Sequence, residues 1–73
     1  MELVDNPRDD LTPREIDVLR LIASGNANKE IADQLSIGEA SVKSYVANIL
    51  SKLDAKDRAH AVTIGLKRGI IEL

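Results

Sequence analysis

Residues 38–53 constrain the possible folds of this chain more than any other stretch. Val42, Val46, Ile49, Leu50 and Leu53 recur at steps of three and four, which gathers them on one side of an α-helix. At about 100° per residue, Ala40, Ser44, Ala47 and Ser51 fall opposite the centre of that apolar stripe. Ser41, Lys43 and Asn48 lie on the flanks. An ordinary solvent face carries long charged side chains. This one is small, polar and flanked by cations, so the helix is shaped to bury one side and to lie close against something with the other.

The rest of the chain must supply a partner for the apolar side. Seventy-three residues make one small domain. The hydrophobic fraction of 44% suffices for one core, and since Tyr45 is the single aromatic residue that core must be aliphatic. The absence of Cys excludes disulfides and thiolate metal sites. No apolar run approaches the roughly 18 residues of a membrane span. No signal-peptide pattern precedes the first helix, so the cytoplasm is the expected location. The net charge of −2 argues mildly against a nucleic-acid partner, but its distribution reverses that argument. Residues 1–10 carry four acidic groups against Arg8, whereas residues 40–68 carry six basic groups against Asp54 and Asp57, a local +4. Local field governs anion binding more than the total does. A merely solvated basic face is the competing explanation.

Residues 1–10 contain Pro7, lack periodicity and read as a disordered acidic arm or the end of a linker. The opening Met leaves both a separate protein and a piece of a longer one open. Residues 11–73 read as the folded domain. Thr12 is a helix cap, Pro13 suits the first helical position, and Glu15 can reach back to close a capping box. Leu11 is placed to staple onto Ile16. Ile16, Leu19, Ile22 and Ala23 form the apolar stripe, widened by Val18 and Leu21, which predicts burial against more than one neighbour; Gly25 ends the helix. Asn28 is expected to cap a second, short helix through Leu35, with Ile31, Ala32 and Leu35 inward and Ala32 small where two helices cross. Ser36, Ile37 and Gly38 connect it to the organising helix, with Ile37 expected to be buried. Asp57 caps a fourth helix from Arg58 to about Arg68, and Gly69 stops it before Ile70 and Ile71 tuck in. The expected fold is all-α: four helices with a central helix-turn-helix.

A short helix, a three-residue turn and a longer helix with a small outer face make that motif, in which the second helix lies in the DNA major groove. The groove is about 12 Å wide, close to the diameter of a helix with its side chains. Lys43 can donate to guanine or to a phosphate, Ser44 can donate or accept, and Asn48 can pair with adenine if it reaches. The helix starts at Asn28 and Gly38 present N–H groups to phosphates, with Lys29, Ser41 and Tyr45 as further phosphate donors. The competing arrangement is a four-helix bundle whose small face packs on another protein. Tyr45 is equally well read as a half-buried core residue. Lys52 either faces DNA or pairs with an acid such as Glu30. Arg58 and Glu15 are expected to brace the fold, and His60 to sit on a helix surface. Capping explains Asp57 and a turn explains Asp54.

Five blocks of this sequence resemble the LuxR-type helix-turn-helix, the FixJ/NarL class. They are Leu11 to Glu15, Asn28 to Ala32, Ser41 to Lys43, Ile49 to Leu53, and Asp57, Arg58 with Ala61. The resemblance covers residues 11–71. It implies a four-helix domain that binds double-stranded DNA to regulate transcription, usually as the C-terminal effector of a response regulator or quorum-sensing regulator. It implies a third helix reading the major groove and a fourth supporting a homodimer through Ala59, Val62 and Leu66. It also implies RNA polymerase and an upstream receiver domain as candidate partners, with no cofactor. Lys43, Ser44 and Ala47 match base-reading positions. Asn28, Ser41 and Tyr45 match positions that meet the phosphate backbone. Ser41 stands where Thr is usual, Tyr45 where His is commoner, Gly38 where Ser or Thr caps, and Gly65 where Ala is common. Ala47 offers no hydrogen bond, which shifts specificity toward thymine methyl contacts or DNA shape.

Two other functions compete with this one. A sigma-factor region-4-like domain shares the helix-turn-helix, but the stretch from Asp57 to Gly69 looks regulator-like. A protein–protein interaction module would use the same faces without DNA. No metal-ligand cluster, nucleophile–base pair or Gly-rich phosphate loop points to an enzyme.

Overall fold

Four helices account for the described residues, 11–72, of a computed structural model: α1 (Pro13–Ala23), α2 (Asn28–Leu35), α3 (Glu39–Leu53) and α4 (Arg58–Lys67). The acidic arm expected at residues 1–10 lies outside the described residues.

Local chemistry sets most of the boundaries. At the start of α1 the Glu15 N–H donates to Thr12 Oγ1 (3.2 Å), while Glu15 Oε1 accepts from the Thr12 N–H (2.9 Å). This is the expected capping box with Pro13 inside it. Gly25 takes φ +91° just past the helix; its N–H reaches Ile22 O at 2.9 Å, and the Asn26 N–H reaches Leu21 O at 3.1 Å. Those two bonds close the last turn on a left-handed residue. Asp57 accepts from the His60 N–H at 2.8 Å and starts α4 as expected. Gly69, at φ +72°, then turns the chain so that Ile71 is buried.

The cap of α2 differs from expectation. Ala27 holds that position, and Asn28 is the first helical residue. Ala27 has no side-chain acceptor, so only half a capping box exists: Glu30 Oε1 accepts from the Ala27 N–H at 2.7 Å. Both helices of the helix-turn-helix end on non-glycine residues in the left-handed region. Ser36 (φ 58°) closes α2 and Asp54 (φ 56°) closes α3.

The core is aliphatic and draws on every helix. Val18, Leu19, Ile31, Val42, Ile49, Leu53 and Ile71 are the largest fully buried side chains. Each contributes about 1.5–3 kcal/mol on burial, so losing one consumes much of the roughly 5 kcal/mol margin of a small domain. α1 packs against α2, α3 and α4, which accounts for its wide apolar face. The centre of that face is displaced from the expected stripe: Glu15, Val18 and Leu19 are buried, whereas Ile16, Ile22 and Ala23 are half-buried. Ile37 is likewise half-buried. Ala32 is buried on α2, which packs against α3, as the sequence predicts. Gly65 is buried on α4; a Cβ there would lie 3.0 Å from Leu19 Cδ2 and 3.1 Å from Ile71 Cγ1. Its missing side chain lets α4 approach α1 and the C-terminal tail closely. Among the described residues no helix is long and apolar enough to cross a membrane.

Candidate nucleic-acid interface

The two faces of α3 separate as the periodicity requires. Val42, Ile49 and Leu53 are fully buried, and Val46 and Leu50 pack against them. Ala40, Ser44, Ala47 and Ser51 are exposed, as are Ser41, Lys43 and Asn48. Their side chains make no hydrogen bond or ion pair within the described residues. Lys43, Ser44, Ala47 and Asn48 therefore form one exposed strip at helical spacing, with Ser41 at its N-terminal end. Tyr45 is half-buried on the flank, packed against the core.

At the N-terminus of α3 the Gly38 cap has no side chain. The Ser41 and Val42 N–H groups return to Gly38 O at 3.1 and 3.2 Å, so the preceding N–H groups, of Glu39 and Ala40, have no helical partner. Glu39 sits in that first turn, a carboxylate that suits the helix dipole.

Asn28 and Lys29 occupy the first turn of α2, with Lys29 exposed and Asn28 half-buried. Asn28 does not cap. Its Oδ1 accepts from Arg58 Nη1 on α4, and Arg58 Nη2 also donates to Asn26 O at 3.1 Å. Asn26 Nδ2 donates to Leu21 O (2.9 Å), and Asn26 Oδ1 accepts from Gln34 Nε2 (2.8 Å). This network ties the α1–α2 turn, the start of α2 and the start of α4. Arg58 thus braces the fold as expected, through partners that the sequence reading missed; the Asn pair in the turn and the Asp-Arg step at α4 were its only visible traces.

Lys52 is removed from the candidate DNA-facing cations. Its Nζ donates to Glu15 Oε1 at 2.8 Å, not to Glu30 as the charge pattern suggested. Glu30 is instead engaged with the Ala27 N–H. Burial of Glu15 pushes its carboxyl pKa upward, but the Lys52 ammonium and the Thr12 N–H outweigh that and hold it below its ordinary value. His60 Nδ1 accepts from the Lys56 N–H at 2.9 Å, a turn-bracing bond. Among the described residues no group of three or more His, Cys, Asp or Glu could hold a metal.

On α4, Ala59 is exposed and Val62 half-buried. Leu66, at 37% exposure, is the exposed large hydrophobic residue among those described. Ala59 and Val62 also line an open groove with Ile22 and Ala23 of α1.

A short helix, a left-handed turn at Ser36 and a long helix with one free face define a helix-turn-helix protein of the nucleic-acid-binding kind. Comparison with known proteins makes the class specific. Residues 9–64 match the family described as "Bacterial regulatory proteins, luxR family", and the chain belongs to that family of DNA-binding transcription regulators. It is 43% identical over 65 residues to the transcriptional regulatory protein LiaR of Bacillus subtilis, covering 89% of this chain and 31% of LiaR. It is 50% identical over 60 residues to the nitrate/nitrite response regulator protein homolog of Haemophilus influenzae, covering 82% of this chain and 29% of that protein. The response regulator ChrA of a heme-sensing two-component system superposes with a TM-score of 0.84 at 37% identity, over 89% of this chain and 32% of ChrA. The chain thus spans about a third of the length of these relatives. The family and the relatives are DNA-binding transcription regulators, not enzymes.

Proposed function

We propose that this domain regulates transcription by inserting α3 into the major groove of an operator as one half of a homodimer. The observation that carries the reading is the outer face of α3: small, exposed and without a hydrogen bond or ion pair among the described residues, on a helix whose other face is anchored in the core. Small side chains at Ala40, Ser44 and Ala47 let the helix sit deep in the groove. Lys43 donates to guanine O6/N7, Ser44 hydrogen-bonds a base edge, Asn48 pairs with adenine, and Ala47 meets a thymine methyl. Asn28, Lys29, Ser41 and Tyr45 donate to phosphates on either side. Ala59, Val62 and Leu66 form the contact between two copies, so the operator is a pair of half-sites.

The relatives' names include response regulators, and the chain matches about a third of each. This supports a place as the effector domain beside a receiver domain in a two-component regulator in the cytoplasm, with RNA polymerase as a further partner. Selection from random duplexes, followed by a salt titration of the winner, tests the reading. Affinity must fall steeply with salt, with a slope set by the number of phosphates contacted. A chain with no measurable duplex affinity at low salt refutes it.

A further inference from the structure

α4 begins with Arg58, and the guanidinium does not end its work at the fold. Its Nη1 donates to Asn28 Oδ1, and its Nη2 donates to Asn26 O at 3.1 Å. Arginine has five donors and no acceptor. The Asn28 amide can therefore present only its oxygen to Arg58, and the two possible orientations of that amide reduce to one. The planar geometry then turns both Nδ2 hydrogens away from Arg58, where no described protein atom accepts them. Asn28 is half-buried at the first position of α2, and the cap before it is an alanine, so the Asn28, Lys29 and Glu30 N–H groups have no side-chain acceptor among the described residues. Asp57 fixes the source of this arrangement, since its bond to the His60 N–H sets where α4 starts and hence where Arg58 sits.

We infer that Arg58 is a positioning residue for DNA: by holding Oδ1 of Asn28 it aims the amide N–H donors at a backbone phosphate at the start of α2. This rests on the proposed docking of α2 beside the DNA backbone and adds the residue that makes Asn28 an oriented donor. Without Arg58 the amide rotates freely, and half of its orientations present a carbonyl oxygen to an anion. The contact is to the backbone, so its effect is independent of base sequence.

The experiment measures the affinity of the 73-residue chain for a pool of random-sequence duplexes at low salt, with circular dichroism confirming that each variant is folded at the assay temperature. Asn28→Asp keeps an acceptor for Arg58 and removes the donors. It should retain thermal stability yet bind about tenfold more weakly or worse, the scale of a lost hydrogen bond to a charged group. Arg58→Met should also weaken binding in the wild-type background. In an Asn28→Ala background the same Arg58→Met change should cost no further affinity, and the salt slope should not change between the two. An equal cost in both backgrounds, or a salt slope reduced by about one, would make Arg58 a direct phosphate ligand or a purely structural brace and overturn the inference. Wild-type affinity for Asn28→Asp would overturn it as well. Lys43→Ala on a selected duplex serves as the independent control. If that variant loses affinity while the Asn28 variants do not, only this inference fails; if the wild-type chain binds no duplex, the proposed function fails with it.

Discussion

Lys52→Met isolates the one buried carboxylate among the described residues. Glu15 is 3% exposed, and its Oε1 accepts from Lys52 Nζ at 2.8 Å and from the Thr12 N–H at 2.9 Å. Methionine keeps most of the lysine stem's packing and removes the ammonium. Breaking a fully buried pair costs about 3–5 kcal/mol. The Lys52 side chain is 32% exposed, so water reaches that end of the pair, and Glu15 keeps the Thr12 N–H. The expected loss is therefore nearer about 1–3 kcal/mol at neutral pH. At about 4–8 °C per kcal/mol for a domain of this size, the melting temperature should fall by roughly 4–24 °C. The pH dependence identifies the cause. In the wild type Glu15 titrates below its ordinary 4.5, so its contribution is complete above that pH and is lost as pH falls through the folded value. In the variant, burial acts without the lysine's opposition and the carboxyl protonates at higher pH. The gap between the two proteins should thus narrow as pH falls from the variant's folded pKa through the lower one of the wild type. Urea unfolding followed by far-UV circular dichroism at neutral and acid pH reads both quantities. A gap that stays constant with pH, or no gap at all, refutes the electrostatic account.

Three further outcomes follow from other parts of the molecule. Lys43→Ala, at an exposed site, should leave stability unchanged and cost about 1–3 kcal/mol of operator affinity if the ammonium contacts guanine; isothermal titration with unchanged affinity would remove Lys43 from the base-reading set. Leu66→Glu should leave the monomer folded, because the side chain is 37% exposed, and abolish cooperative binding to paired half-sites in a gel-shift titration. Unfolding by that substitution would assign Leu66 to the core instead of the contact between copies. Gly65→Ala sets a helix-propensity gain of about 1 kcal/mol against an overpacking cost of about 1–3 kcal/mol. With Leu19 Cδ2 at 3.0 Å and Ile71 Cγ1 at 3.1 Å from the new methyl, the net effect should be a lower melting temperature, and a higher one would show that the tail yields.

What could be read in advance was what spans three or four residues. The Thr12–Glu15 box, the Asp57 cap and the two faces of α3 depend on spacing alone, and each stands where expected. Lys52 and Glu15 are 37 residues apart, and Arg58 and Asn28 are 30 apart. A charge pattern shows that Lys52 can pair with an acid such as Glu30 but not which acid packing will bring to it, and the fold brings Glu15. Asn favours the cap position, yet Ala27 holds it and Asn28 is the first helical residue. The competing demand came from a guanidinium on another helix, and Glu30 served Ala27 instead. The proposed site was legible to the same extent: its α3 strip follows from periodicity, while the orientation of Asn28 required the tertiary fold.

The outer face of α3 has a consequence for how such a domain changes over time. Ala40, Ser44, Ala47 and Ser51 are exposed and make no hydrogen bond within the described protein, so exchanges there should alter folding by no more than about 0.5 kcal/mol. If α3 docks in the groove as proposed, operator preference can then be rewritten one side chain at a time, with no compensating change in the core. The apolar stripe has no such freedom, since Val42, Ile49 and Leu53 each hold α3 against its neighbours. Under the proposed docking, folding and address are carried by different side chains of one helix, and a library randomised at Ser44 and Ala47 should return folded proteins that differ in the DNA they prefer.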